Sequence, residues 1–198
     1  MAIATTSRRR AIEDVASALF RERGYAATSV RDIARALDIQ GASLYSHVTS
    51  KADVLWTIVD RAATRFEEAG EAALAALPAS AGAPERIRAV ARAHVLVVTS
   101  DPELASVFVH EWRHLEGDRR AAILQRRDRY ETRLRALIGE GMASGDLLPT
   151  DPAVAATFVL GALNGVVAWY RPDGRLPADR IADHHADLVV RSLTEDDR

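Results

Sequence analysis

Residues 29–51 read SVRDIARALDIQGASLYSHVTSK, and this stretch decides the fold. Ser29 can cap a short helix with Asp32 as its capping-box partner, and the apolar side chains that follow recur at helical spacing. A tight turn at 38–41 separates this helix from a second short one at about 41–47. Because short helices are marginal alone, their pairing across a tight turn predicts a helix-turn-helix.

The second helix of such a motif lies in the DNA major groove with its first residues against base edges. Here those residues are small: Ser43 can hydrogen-bond to a base edge, and the Ala42 methyl can meet a thymine methyl. Helix N-termini and flanking cations predict phosphate contacts around them. The predicted DNA-binding residues are Thr28, Ser29, Arg31, Gly41, Ala42, Ser43, Tyr45, Ser46, His47 and Lys51.

Outward from this motif, apolar residues recur every three or four positions along the whole chain, which predicts an all-α fold. Gly24 is a suitable end for the first helix, and Pro84 suits the first position of another. The nine predicted helices span about 8–23, 30–37, 41–47, 51–77, 84–99, 101–115, 118–142, 152–170 and 178–193.

Residues 11–60 resemble the DNA-binding head of the TetR family of regulators. The resemblance lies in AIEDVASALFRERGYAATSVRDIARAL, in LYSHVTSKADVL, and most specifically in Leu44-Tyr45-x-His47 and Ser50-Lys51. It implies a three-helix DNA-binding head with a helix-turn-helix over 1–52 and a six-helix ligand-binding and dimerisation body over 53–198. The alternative is a helical interaction module with no DNA role.

The resemblance also implies that the last two helices pair across a twofold axis. The helix at 152–170 is apolar nearly all round, so it needs cover on several sides. The alternative is that these helices complete a monomeric core. The predicted dimer-interface residues are Leu163, Val166, Val167, Trp169 and Leu188.

The stretch NGVVAWYRPDGRLPADRIADHHADLVVRSL, together with VFVHEWRHL, resembles one subgroup in particular. That subgroup includes repressors of fatty-acid, phenylacetate and sterol degradation, whose effectors are usually acyl-CoA thioesters. An acyl-CoA needs an apolar tunnel, predicted at Val107, Phe108 and Trp112, and cations for its phosphates. Arginines between 119 and 135 are candidates, although the alternative of a solvated face paired with acidic residues is favoured for most of them.

His110, Glu111 and His114 form an HExxH motif, the zinc-protease signature. On one helix both histidines would share a face, with Glu111 as general base. Arg120 stands where the longer pattern has its third histidine, and a cation there would repel the metal. We therefore expect no enzyme, no metal and no cofactor, and keep a zinc-dependent hydrolase as the alternative function.

The composition of the chain limits which classes of protein remain possible. The chain has no cysteine, so disulfides and thiolate chemistry are excluded. The formal net charge of the chain is −2. Residues 1–51, however, contain eight basic and five acidic residues, and this positive net charge suits a DNA-binding head. No secretory signal and no membrane-spanning stretch of about 18 apolar residues are expected. The predicted partners are double-stranded operator DNA, a small-molecule effector and a second copy of the chain, in the cytoplasm.

Overall fold

The computed structural model describes residues 2–40, 43, 44 and 46–194, with side chains from residue 8 onward. These residues form eight numbered α-helices and no strand, which confirms the predicted all-α class. The helices are α1 (Ala2–Arg23), α2 (Val30–Ala36), α3 (Lys51–Ala75), α4 (Ala83–Ser100), α5 (Pro102–His110), α6 (Gly117–Ser144), α7 (Pro152–Trp169) and α8 (Ala178–Leu193).

The chain forms two compact units. The head unit comprises residues 1–63 and 103–124, and the body unit comprises residues 64–102 and 125–198. The predicted head ended at residue 52, where the helix-turn-helix sequence motif ends. The head unit of the structure is larger, because it also contains the start of α3 and residues 103–124 around α5 and the start of α6.

Local signals set the ends of the helices in the head unit as predicted. Gly24 closes α1 with φ +81°, a left-handed conformation that glycine adopts without steric cost. Ser29 accepts a hydrogen bond from the Asp32 backbone, and the Asp32 carboxylate accepts one from the Ser29 backbone, so the capping box is present. The core of the unit buries Ile12, Phe20, Ile33, Leu44 and Leu55 completely.

In the body unit, α4 packs against α8 and α7. Its buried face is mostly apolar. Its outer edge pairs with acidic residues of α8: Arg88 with Asp187 at 2.8 Å and Arg92 with Asp183 at 2.7 Å. The hydrogen bond from Arg92 lowers the pKa of the Asp183 carboxyl. These pairs fix the register of α4 on α8 while the apolar face supplies most of the stability.

Two predictions about helices require correction. The helix predicted over 101–115 ends at His110 and continues as a 3-10 turn at Trp112–His114. The expectation that no stretch could span a membrane also fails for α7, whose 18 residues carry no charge and suffice by length and composition. A core helix of a soluble protein passes the same test, so α7 alone is weak evidence for a membrane.

Candidate functional site

The predicted DNA-binding residues at the start of α2 have different environments. Ser29 and Arg31 are exposed, so both can face a phosphate. Thr28 is buried, and its hydroxyl donates to the Gly24 carbonyl at 2.9 Å. We therefore correct the prediction for the Thr28 side chain, which stabilises the α1–α2 turn and has no surface to offer DNA.

The predicted recognition helix is described only in part. Ser43 and Leu44 are helical, and the Leu44 carbonyl accepts hydrogen bonds from the His47 and Val48 amides, which continues the helical turn. Ser43 and Ser46 are exposed and His47 is half-buried, while Leu44 and Val48 are buried in the head unit. Three predicted contacts lie outside the described residues: Gly41, Ala42 and Tyr45.

Lys51, the only lysine of the chain, braces the α1–α2 turn from the first turn of α3. Its Nζ donates to the carbonyls of Tyr25 and Thr28, both at 2.8 Å, and lies 4.2 Å from the centre of the Tyr25 ring. An ammonium has three protons, so one donor remains for a phosphate. The predicted phosphate contact is therefore compatible with this bracing role.

The HExxH motif holds the same turn through Tyr25. The Glu111 carboxylate accepts the Tyr25 backbone N–H at 3.2 Å and lies 3.4 Å from His114 Nε2. The His114 ring stacks on the Tyr25 ring at 5.1 Å between centres. These contacts coincide with the end of α5, where His110 and His114 no longer occupy one helical face. Among the described residues, no three His, Cys, Asp or Glu side chains cluster as metal ligands.

The predicted ligand residues belong to the head unit. Val107 and Phe108 are buried on α5, and Trp112 follows its end with the Arg113 guanidinium 5.4 Å from the ring centre. Several arginines proposed for phosphates instead form ion pairs, as in the alternative, but their partners are acidic residues of α3 rather than the predicted Glu116, Asp118, Asp128 and Glu131. The pairs are Arg119–Asp53, Arg126–Glu67 and Arg133–Glu71.

The exposed face of α7 differs from the predicted dimer interface. Leu163, Val166 and Val167 are buried within the body unit and have little surface for a partner, whereas Trp169 and Leu188 are 52% and 62% exposed. Because α7 is apolar all round, its sequence could not indicate which side would face outward. The exposed apolar stripe comprises Val154, Phe158, Gly161, Ala162, Gly165, Ala168 and Trp169.

Sequence reasoning missed a polar pair inside the body unit. His94 on α4 is 4% exposed, its Nδ1 lies 3.1 Å from the Tyr130 hydroxyl of α6, and the Phe66 ring packs against it at 4.5 Å. Burial lowers the pKa of His94 to about 4, so the ring is uncharged at neutral pH. A hydrogen bond with the Asn164 side chain raises the pKa of His94 and the nearby Arg127 charge lowers it, but burial has the largest effect.

Two cavities in the body unit are relevant to ligand binding. One, of about 40 Å³, is walled mainly by apolar side chains and by Tyr130, with Glu67, Glu71 and Arg133 at its edge. The other is open, measures about 360 Å³ and lies at the α7–α8 corner beside Trp169, with Arg171 and Arg175 in its wall. The sequence signal for the second was the RPDGR turn, which contains both arginines.

Comparison with known sequences finds two segments of the chain that match family profiles. Residues 12–56 match the profile of the bacterial regulatory proteins of the tetR family, and residues 80–193 match that of tetracyclin repressor-like C-terminal domains. The chain is 26% identical over 196 residues to the HTH-type transcriptional repressor KstR2 of Mycobacterium tuberculosis, covering 96% of this chain and 94% of that repressor. A KstR2 from Rhodococcus jostii is also 26% identical, over 197 residues, with 95% and 92% covered.

Solved structures share the fold. The crystal structure of AibR in complex with isovaleryl coenzyme A and operator DNA is 33% identical, with a TM-score of 0.80, and the match covers 91% of this chain and 97% of that one. The regulator PfmR from Thermus thermophilus is 34% identical, with a TM-score of 0.79 and the same coverage. The ketosteroid regulator KstR2 of M. tuberculosis has a TM-score of 0.83 at 25% identity, with 96% of each chain covered.

Proposed function

Because the chain belongs to the tetR family of bacterial regulatory proteins, we propose that it is a ligand-responsive transcriptional repressor. It binds a palindromic operator as a homodimer, and an acyl-CoA thioester releases it from the DNA. The observation that carries the proposal is α2, the capped first helix of the helix-turn-helix, together with Lys51, which braces the α1–α2 turn before it.

DNA recognition is assigned to the exposed residues of the motif. Arg31 and Lys51 supply charge for phosphates, which fix the position of the head on the duplex, and Ser43 faces base edges. The other predicted contacts that remain part of the proposal are Ser29, Gly41, Ala42, Tyr45, Ser46 and His47. The cytoplasm is the proposed location, since a regulator acts where its operator lies.

Dimerisation is assigned to the exposed stripe of α7 together with Leu188 of α8. Gly161 and Gly165 have open space where a side chain would stand, so a second α7 can approach closely between the large residues Phe158 and Trp169. A twofold dimer presents two recognition helices to two half-sites, which is how such proteins read a palindrome.

The effector assignment rests on chemistry and on similarity. AibR, with which the chain shares a third of its residues, has been solved with isovaleryl coenzyme A and operator DNA. Coenzyme A phosphates need cations, and Arg171 and Arg175 line the open cavity at the α7–α8 corner without a salt bridge to any described residue. Val107, Phe108 and Trp112 stay a separate, sequence-based prediction for an acyl group; they belong to the head unit and do not line this cavity.

Catalysis is not part of the proposal. A zinc hydrolase centred on His110 would need both histidines of its HExxH motif on one helical face, and α5 ends between them. Glu111, the general base of such an enzyme, accepts a backbone hydrogen bond in the α1–α2 turn. A protease would also retain about one zinc per chain on purification, and metal analysis measures this directly.

Selection of an operator from a random DNA pool by the purified chain tests the proposal. We expect enrichment of a palindrome, binding that weakens with salt, and release by one member of an acyl-CoA panel. Arg31→Ala and Arg35→Ala form a matched pair, because both arginines are exposed on α2 and only Arg31 is assigned to DNA. Arg31→Ala should reduce the salt slope by about 0.9 and Arg35→Ala should not. Failure to enrich any sequence would refute the DNA-binding function.

A further inference from the structure

The open cavity at the α7–α8 corner is lined by cationic and aromatic side chains. The described residues in its wall include Arg171, Arg175, His184 and His185, and none of the described wall residues is acidic. Both arginines are charged at any physiological pH. Asp173, the carboxylate of the same turn, lies outside the wall. The cavity therefore presents a positively charged surface that suits an anionic ligand.

The turn between α7 and α8 brings the two arginines to one cavity. The Gly174 N–H donates to the Arg171 carbonyl at 3.0 Å, and a side chain at Gly174 would stand 2.9 Å from the same oxygen. Only glycine allows the turn to close this tightly. Two guanidinium groups in one wall match a ligand with more than one phosphate, because each guanidinium can donate two hydrogen bonds to a phosphate.

Trp169 adds a flat apolar surface beside these charges. Its ring stacks on the His185 ring with 5.6 Å between centres and 22° between planes. His185 Nδ1 donates to the Ile181 carbonyl at 2.9 Å, so the imidazole that supports the indole is itself held in place. Trp169 is about half exposed. A fixed aromatic ring with free surface is what the stacking of a nucleic-acid base requires.

The volume of the cavity limits which part of a ligand it holds. Small-molecule sites are concave and measure about 300–1,000 Å³, and this one is near the lower limit at about 360 Å³. Coenzyme A consists of an adenosine with phosphates on its 3′ and 5′ oxygens and a long pantetheine arm. The cavity has room for the nucleotide end, while the arm and the acyl group extend beyond it.

We propose that the α7–α8 corner is an adenine-nucleotide site, in which the base stacks on Trp169 and the phosphates bind Arg171 and Arg175. The proposal rests on the acyl-CoA function above and deepens it by assigning the nucleotide end of the effector to this cavity. Neither contact involves the acyl group. Adenosine 3′,5′-bisphosphate alone therefore binds here and competes with acyl-CoA.

Calorimetric titration of the full-length chain with adenosine 3′,5′-bisphosphate tests the site, with isovaleryl-CoA as the second probe. We expect the bisphosphate to bind and to displace isovaleryl-CoA. Arg175→Ala should weaken its binding by about tenfold through loss of charged hydrogen bonds. Arg191→Ala is the matched control, because Arg191 is also exposed but lies on α8 outside the cavity. It should bind the bisphosphate as the wild type does.

Trp169→Leu tests the stacking contact. It should weaken binding of the bisphosphate by about fivefold or more and leave binding of pyrophosphate, which has no base, unchanged. Trp169 also belongs to the proposed dimer interface, so light scattering must show the wild-type mass for this variant. Arg175→Ala tests the cavity independently of that interface.

Binding of isovaleryl-CoA without binding of the bisphosphate overturns the proposal and keeps the acyl-CoA effector. Equal weakening by Arg175→Ala and Arg191→Ala also overturns it, since general charge would then explain the binding. An Arg175→Ala variant that binds the nucleotide normally but binds operator DNA more weakly overturns it in favour of a DNA contact. Binding of the bisphosphate alone supports the site and rejects the acyl-CoA effector, and binding of neither probe rejects both.

Discussion

Lys51→Met tests how the head unit holds the α1–α2 turn and, through it, the position of α2. Methionine keeps the length and the apolar stem of lysine and removes all three donors. The change deletes the hydrogen bonds to the carbonyls of Tyr25 and Thr28 and the contact with the Tyr25 ring. We expect the α1–α2 turn to loosen and α2 to lose its fixed position.

The magnitude follows from the two hydrogen bonds. A hydrogen bond from a charged donor contributes about 1.5–3 kcal/mol, and Lys51 is only half-buried, so the lower value applies to each. A partly exposed cation–π contact adds about 0.5 kcal/mol. The free energy of unfolding should therefore fall by about 3.5 kcal/mol.

Urea unfolding followed by circular dichroism measures this loss. Arg35→Met is the control, because it removes one positive charge from α2, where Arg35 is 81% exposed and reaches only Asp32 at 3.5 Å. It should change stability by less than about 0.5 kcal/mol. An equal effect of the two substitutions would refute the bracing role of Lys51.

DNA binding by Lys51→Met tests the remaining donor of the ammonium. If that donor contacts a phosphate, the dependence of log affinity on log salt should become shallower by about 0.9. An unchanged slope with weakened binding would assign Lys51 to the turn alone and remove it from the phosphate contacts.

Three further predictions concern other parts of the chain. Glu111→Ala should lower the free energy of unfolding by about 1–2 kcal/mol through loss of the acceptor for Tyr25 N–H, and Glu111→Gln should cost less because it keeps an acceptor oxygen; equal costs in urea unfolding would contradict this. Burial lowers the pKa of His94 from 6.5 to about 4, so the unfolded chain binds more protons in that range and stability falls as the pH drops. Between pH 7 and 5 the wild type should lose about 2 kcal/mol more than His94→Phe; parallel pH profiles would count against a buried neutral His94, whose polar neighbours are Tyr130, Asn164 and Arg127. Phe158→Glu should convert the proposed dimer to monomer in light scattering, since it places a charge in the exposed stripe of α7; a dimer of wild-type strength would place the interface elsewhere.

Local rules were sufficient to predict much of the fold from the sequence. The capping box at Ser29 and the left-handed Gly24 depend on neighbouring residues, and both are present as predicted. The end of α5 could not be predicted, because it coincides with a contact between Glu111 and Tyr25, which are 86 residues apart. No helix-breaking residue marks that position in the sequence.

The residues of the candidate sites could be predicted only where they belong to a recognisable sequence motif. The proposed DNA-contacting positions follow from the spacing of the predicted helix-turn-helix. The pair of His94 and Tyr130 joins two helices 36 residues apart, and each residue alone reads as an ordinary polar residue on an amphipathic helix. The exposed face of α7 depends on where α4 and α8 pack against it. The sequence of a helix that is apolar on every side does not indicate which side its neighbours will cover.

The most direct test of the central claim is the affinity of the chain for the proposed acyl-CoA effector, measured with and without saturating operator DNA. A ligand-responsive repressor binds effector and operator to different conformations, so each must weaken the other by the same factor, about 5- to 150-fold for typical coupling. We expect operator DNA to weaken acyl-CoA binding by the factor by which acyl-CoA weakens operator binding. An acyl-CoA affinity that is unchanged by operator DNA would contradict the proposed function.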